Sequence, residues 1–103
     1  MKVMEVQKSD KKLAAMAKVL KAVANQNRLR IVQLLIINGE LTVNEICENL
    51  KNCEQSLLSH HLSALKETGI LSSRRAGRKI YYSSAKKEIE HLLNCLENCC
   101  DTK

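Results

Sequence analysis

The chain is 103 residues long, room for one hydrophobic core and not two, so residues 1–103 are expected to form a single domain. Phe, Trp and Pro are absent and aromatic residues make up only 2 %, which excludes stacking on unpaired bases as the main mode of binding, while a net charge of +6 favours duplex or protein partners. No run of about eighteen apolar residues occurs and the N-terminus MKVMEVQKSDKK has no signal-peptide pattern, so no membrane partner is expected and the expected location is a reducing cytoplasm.

Taken in chain order, Ser9 can cap a first helix in which Leu13, Met16, Ala17, Leu20 and Val23 recur at helical spacing, ending near Asn25. A second helix runs from about Asn27 through LRIVQLLIIN, apolar enough to predict deep burial, and stops at Gly39, a residue suited to the left-handed position beyond a helix end. TVNE, residues 42 to 45, is a Thr-x-x-Glu capping box that opens a short helix with Val43, Ile46, Cys47 and Leu50 on one face. After the turn LKNC, the stretch EQSLLSHHLSALKETG has an apolar stripe of Leu58, Leu62 and Leu65 and ends at Gly69, with Asn52 and Gln55 as a second candidate capping pair.

These two helices, over about residues 42–68, read as a helix-turn-helix. Directly after them, over about 70–83, the strand-like runs ILSS and KIYYS flank the basic turn RRAGR, a β-hairpin pattern. A last helix over about 85–100 places Ile89, Leu92, Leu93 and Leu96 on one face. The expected fold is mainly α, a winged helix-turn-helix with a two-stranded wing and flanking N- and C-terminal helices. Charge is segregated along it. Residues 1–39 carry eight basic and two acidic side chains and residues 66–87 seven and one, whereas 40–54 and 88–103 are each net −3. A polyanion-binding face and simple solvated charge runs both fit that distribution.

The segments LKAVANQNRLRIVQLL, LTVNEICENL and SLLSHHLSALKETGILSSRRAGRKIYYS, within about residues 18 to 84, resemble the arsenic-repressor (ArsR/SmtB) family of winged helix-turn-helix regulators. NQNRLRI, SHHLSALKETGIL and RRAGRKIYY carry the resemblance in order and spacing. It implies a homodimeric repressor that holds double-stranded operator DNA and leaves it when an inducer, usually a metal or metalloid ion, binds. Three departures bear on the inducer. Thr42 and Asn44 stand where the family's commonest Cys-x-Cys motif would fall, Lys86, Lys87 and Glu88 stand near the usual last-helix zinc ligands, and Gln33 stands where persulfide-sensing relatives carry a cysteine. The inducer is therefore not inherited from the resemblance.

In a helix-turn-helix the first turns of the second helix enter the major groove, where Gln pairs with adenine edges and Ser and His serve several bases. Gln55, Ser56, Ser59 and His60 hold those positions, and the plain alternative is that they solvate an exposed face. His61 falls on the packing side and is left out of the reading set. Arg74, Arg75, Arg78 and Lys79 crowd four cations around one turn, which suits phosphate or minor-groove contact, the alternative being a solvated hairpin tip. Contacts of that kind position a protein without carrying sequence information.

The stretch HLLNCLENCC, residues 91 to 100, holds three of the five cysteines. His91, Cys95 and Cys99 follow at i, i+4 and i+8 in a stripe beside the apolar seam, and Cys100 falls on the seam, about 140° round the helix from Cys95. A cysteine pair at i, i+4 can share a soft ion of the As(III), Cd, Pb or Zn class, since thiolates bind such ions strongly. The candidate metal site is thus Cys95, Cys99, Cys100 and His91, with the third thiolate joining through a frayed last turn or from a partner subunit. Redox sensing by the same thiols is the rival reading. Cys47 and Cys53 sit at core-like positions and read as small apolar fillers, because a reducing compartment disfavours a disulfide framework.

The expected function is a DNA-binding transcriptional repressor released by a thiophilic ion at C-terminal cysteines, needing no cofactor to bind DNA. A repressor switched by thiol oxidation or reactive sulfur is the alternative. A cysteine-rich metal carrier or thiol enzyme would leave the basic hairpin and the exposed helix face without purpose. No HExxH, Gly-rich phosphate loop or CxxC occurs, so no enzymatic activity is expected.

Overall fold

A computed structural model describes residues 9–101; the first eight and last two residues of the expected 1–103 domain lie outside it. Helix α1, Asp10–Val23, starts where Ser9 Oγ accepts the Lys12 backbone N–H at 3.2 Å. Helix α2, Gln26–Asn38, starts where the Asn25 side chain accepts the N–H groups of Asn27 and Arg28 at 2.9 and 3.1 Å. Gly39, with φ +85°, ends α2 and donates its N–H to Leu35 O at 2.7 Å. Those caps satisfy backbone groups that a helix terminus otherwise leaves unpaired.

Strand β1, Glu40–Thr42, leads into α3, Val43–Glu48, through the expected capping box, with Thr42 Oγ1 accepting from Glu45 N and the Glu45 carboxylate accepting from Thr42 N. Then follow α4, Gln55–Glu67, the hairpin of β2, Leu71–Ala76, and β3, Lys79–Ser84, and finally α5, Lys87–Cys99. Ile31, Val32 and Leu35 of α2, Ile46 of α3, Leu58, Leu62 and Leu65 of α4, and Ile70 and Leu71 beside the hairpin form the core. Burying each contributes about 1.5–3 kcal/mol. Ile37, near the end of α2, is 80 % exposed, so the expected deep burial of that helix stops short of its last turn.

The expected two-stranded wing is present as β2 and β3, and β1 extends it into a three-stranded antiparallel sheet, order β1-β3-β2, because Glu40, Leu41 and Thr42 pair with Ser83, Tyr82 and Tyr81. Three expectations need correction. Arg74 and Arg75 belong to β2, and the turn is only Gly77 and Arg78, with Gly77 at the φ of +64° that a tight hairpin turn needs. Asn52 and Gln55 do not form a capping pair: Glu54 stands at the N-cap of α4 without a side-chain cap, and Asn52 itself is left-handed, φ +54°. Finally, Cys47 and Cys53 are not separate fillers. The α3–α4 turn folds them together, and a disulfide joins them with Cα atoms 5.4 Å apart.

Candidate nucleic-acid interface

Leu58, Leu62 and Leu65 turn inward, which by helical geometry turns Ser56 and His60 to the opposite face and Ser59 to its flank, while Gln55, seven residues before Leu62 and so on the leucine side, stands at the first position of α4; all four are exposed. Gln55 Nε2 donates to Asn44 Oδ1 at 3.1 Å, and Ser56 Oγ donates to Glu54 Oε1 at 3.0 Å. Asn44, at the start of α3, also lines a hollow with Arg78, Lys79, Ile80 and Tyr81 of the hairpin. The start of α4 and the basic turn therefore border one continuous surface. Asn44 was not among the sequence candidates. Its signal was its place two residues into the capping-box helix, whose apolar face is Val43, Ile46 and Cys47.

The basic residues divide. Arg74 makes a two-pronged ion pair with Glu40, Nε to Oε2 at 2.6 Å and Nη2 to Oε1 at 2.8 Å, and its guanidinium carbon lies 4.6 Å from the centre of the Tyr81 ring. The Arg74 guanidinium holds the Glu40 carboxyl below the usual carboxylate range, and Glu40 in turn raises Arg74. Arg74 thus ties the hairpin to β1. Arg75, Arg78 and Lys79 are exposed and make no salt bridge among the described residues, although Arg75 Nε donates to Gly77 O at 3.3 Å.

His61, one residue past the outward face, is only 7 % exposed and accepts at Nδ1 from Arg28 Nε at 2.9 Å, which fixes α4 to α2. Burial, then the Arg28 and His60 charges, push its pKa below the ordinary 6.5. The neutral ring is the one that accepts this bond. The unfolded chain takes up the proton at about 6.5 and the folded chain only at lower pH, so the His61 contribution is complete above pH 6.5 and is lost as pH falls through the depressed value. Urea midpoints should therefore drop on moving from pH 7.5 to about 5. His61→Gln should flatten that drop, and an unchanged slope in the variant would assign the pH dependence elsewhere.

Among the described residues, no group of three or more His, Cys, Asp or Glu side chains is gathered into a metal-sized cluster. Cys95, Cys99 and Cys100 are free and exposed, and so is His91. Cys95 and Cys99 keep the i, i+4 spacing within α5, whereas Cys100 caps the helix and lines a groove with Leu29, Arg30 and Gln33 of α2. The chain thus offers a soft ion a pair of thiols on one side of α5 and a third on another side. The terminal helices also leave apolar surface uncovered: Leu13, Met16 and Leu20 of α1 are 39, 40 and 55 % exposed, and Leu96 of α5 is 43 % exposed.

A helix-turn-helix whose outward face adjoins a basic hairpin defines a winged-helix DNA-binding regulator. The family model described as bacterial regulatory protein, arsR family, matches residues 25–73. The chain is 33 % identical over 93 residues to the transcriptional activator HlyU of Vibrio cholerae, covering 90 % of this chain and 84 % of that protein. The HlyU structure superimposes with a TM-score of 0.78, at 32 % identity, over 89 % of this chain and 98 % of its own. A cadmium resistance regulatory protein CadC homologue of Staphylococcus aureus is 35 % identical over 77 residues, 75 % of this chain and 63 % of the other. The homodimeric winged helix-turn-helix DNA-binding domain of a possible ArsR-family regulator from Mycobacterium bovis matches with a TM-score of 0.79 and 33 % identity, over 94 % of this chain and 91 % of that one. The chain belongs to the ArsR family of transcriptional regulators. No helix among the described residues is long and apolar enough to cross a membrane.

Proposed function

We propose that the protein is a cytoplasmic homodimeric repressor that binds an inverted repeat in operator DNA and is released by a thiophilic metal or metalloid ion. The observation that carries the DNA part is the continuous surface from Gln55 through Asn44 to Arg78 and Lys79. Gln55, Ser56, Ser59 and His60 read base edges, while Arg75, Arg78 and Lys79 neutralise phosphates. Arg74 contributes to the same wing, and would have to exchange Glu40 for a phosphate to touch DNA directly. Two-fold symmetry would place equivalent reading helices about 34 Å apart, one turn of DNA. The homodimeric relative and the uncovered apolar residues of α1 and α5 support that arrangement.

Helix and wing are separable by substitution. Gln55→Ala should relax sequence preference by about 1–3 kcal/mol at one base pair per half-site, as expected for loss of a bidentate contact. Arg75→Ala should weaken all duplexes alike and reduce the slope of log affinity against log salt. Anisotropy titrations across a salt series with matched and scrambled duplexes check both. If Arg75→Ala changed which sequence is preferred, the division of labour would be wrong.

For the inducer, the favoured ligands are Cys95, Cys99, Cys100 and His91, with an ion of the As(III), Cd, Pb or Zn class held by the thiolates. The i, i+4 pair Cys95 and Cys99 fits a two-thiolate share of such an ion, and the cadmium-resistance relative supports a metal. The second reading, release by thiol oxidation or reactive sulfur, is favoured by the exposure of all three free thiols near the end of α5.

A further inference from the structure

We propose that Cys47 and Cys53 are a redox-modification site: a dithiol that small anionic disulfides oxidise reversibly to the cross-link, setting how α4 is presented to DNA. The proposal rests on the DNA-binding reading above. It concerns cysteines other than those assigned to the inducer.

The pair brackets the turn of the helix-turn-helix. Cys47 lies in the last turn of α3, and Cys53 stands two residues before Gln55, the first residue of the reading helix. Their Cα separation of 5.4 Å falls within the range a disulfide spans without moving the backbone, so reduced and oxidised pairs can exchange within this fold. Besides the packing of Leu50 and Cys53 against the core and the Gln55–Asn44 hydrogen bond, backbone hydrogen bonds fix only the first part of the connection. Leu50 N–H reaches Cys47 O at 3.2 Å and Asn49 N–H reaches Ile46 O at 3.1 Å, but none of residues 51–54 donates a backbone hydrogen bond to a described residue. Within this stretch Asn52 holds a φ of +54°, a left-handed conformation that asparagine adopts more readily than other residues with a side chain. With the cross-link open, the turn is free to leave that conformation and carry the start of α4, Gln55 included, with it.

Access and charge point to the reagent. Both cysteines are half-buried. Cys53 borders a hollow of about 70 Å³ whose charged lining is Arg30, Lys51 and Glu54. Two cations against one carboxylate leave it net positive, which favours a disulfide that carries carboxylates, oxidised glutathione being the chemical type. The Cys53 thiolate attacks one sulfur of that disulfide, breaking its S–S bond and expelling one small thiolate. The Cys47 thiolate then attacks the Cys53 sulfur of the mixed disulfide, forming the protein cross-link and expelling the second small thiolate. Two electrons pass from the cysteine pair to the reagent, and the two cysteine protons go to solvent and the released thiolates. An excess of the small thiol reverses both steps.

The test equilibrates the full-length protein in buffers of graded reduced and oxidised glutathione. Peptide mapping after alkylation reads the Cys47–Cys53 cross-link, and anisotropy reads affinity for a selected duplex. The expected result is a cross-link that forms and opens reversibly, with the oxidised protein binding at least about fivefold tighter. Cys47→Ser/Cys53→Ser should lose the oxidative tightening, and any release caused by oxidation of its intact C-terminal thiols, opposite in sign, should remain. Should that variant fold poorly, Cys53→Ser alone gives the same comparison. A pair that never cross-links, an oxidised protein that binds no tighter than the oxidised variant, or a tightening that persists in the variants would overturn the proposal. Absence of any sequence preference in either state would instead overturn the DNA-binding reading, and with it the regulatory half of this inference; the mapping would still judge the redox chemistry.

Discussion

Leu20→Glu should turn the protein into a monomer and lower its affinity for an inverted-repeat duplex by about 100-fold or more. Leu20 is 55 % exposed in the single chain and shares a face of α1 with Leu13 and Met16, 39 and 40 % exposed, a stripe that the described residues cover only in part. On the proposed assembly that stripe is buried against a second copy. A carboxylate placed there must lose its hydration without a partner, which costs several kcal/mol per ion. The consequence for DNA is larger than for the fold. In a dimer the second half-site is met at an effective concentration set by the first, an advantage of about 10²–10⁴ that a monomer forfeits. Sedimentation velocity and anisotropy would read the two effects, and thermal melting would show that the protomer still folds. A variant that stays dimeric with unchanged affinity would place the interface elsewhere.

Cys95→Ser/Cys99→Ser should abolish release from DNA by ion while leaving the ion-free affinity within about twofold, since a ligand shifts an equilibrium only through its differential affinity for the two forms. Neither cysteine belongs to α4 or the hairpin, so their replacement leaves the reading surface intact. On the proposed reading the bound ion favours a dimer geometry that spaces the two α4 helices badly for DNA. A coupling of about 1–3 kcal/mol corresponds to binding weakened from several-fold to about 100-fold. The measurement is duplex affinity with and without arsenite or Cd²⁺ under strict reduction. A double variant that still lets go on adding the ion would move the sensor, with Cys47 and Cys53 the next candidates. An unmodified protein that ignores every ion yet dissociates on oxidation would assign the C-terminal thiols to redox sensing.

What was legible in the sequence was whatever a short window encodes. Gly39 after an apolar run, the Thr42 and Glu45 box, the stripe of Leu58, Leu62 and Leu65, and Gly77 between two strand-like runs each carry their signal within a few residues, and each appears in the structure. Strand β1 was hidden because three residues are too few to show a period, and it is a strand only through pairing with β3. The Cys47–Cys53 cross-link was hidden because it depends on the path of an irregular turn with a left-handed asparagine. Compartment chemistry argued against it.

The site divides in the same way. The exposure of Ser56, Ser59 and His60 follows from the leucine stripe on the other side of their helix, and His61 falls inward as its position required, whereas Gln55 is on the leucine side and is exposed at the first position of α4. The partners do not follow. Arg28 with His61, and Arg74 with Glu40, are 33 and 34 residues apart and meet only once the core is built. The composition of RRAGR made Arg74 look equivalent to its neighbours, whereas the sheet gives it an acidic partner. For the C-terminal thiols, helical spacing put Cys95 and Cys99 together but could not supply a second copy of the chain.

The most direct measurement is selection of duplexes from a random pool by the reduced, ion-free protein, with the number of protomers per selected duplex counted by native mass spectrometry. The account predicts an enriched inverted repeat with half-site centres about 10–10.5 base pairs apart and two protomers bound. In a parallel selection, Gln55→Ala should lose preference at one position in each half-site. A pool that yields no enriched sequence, or one protomer on a lone asymmetric site whose preference survives Gln55→Ala, would contradict it.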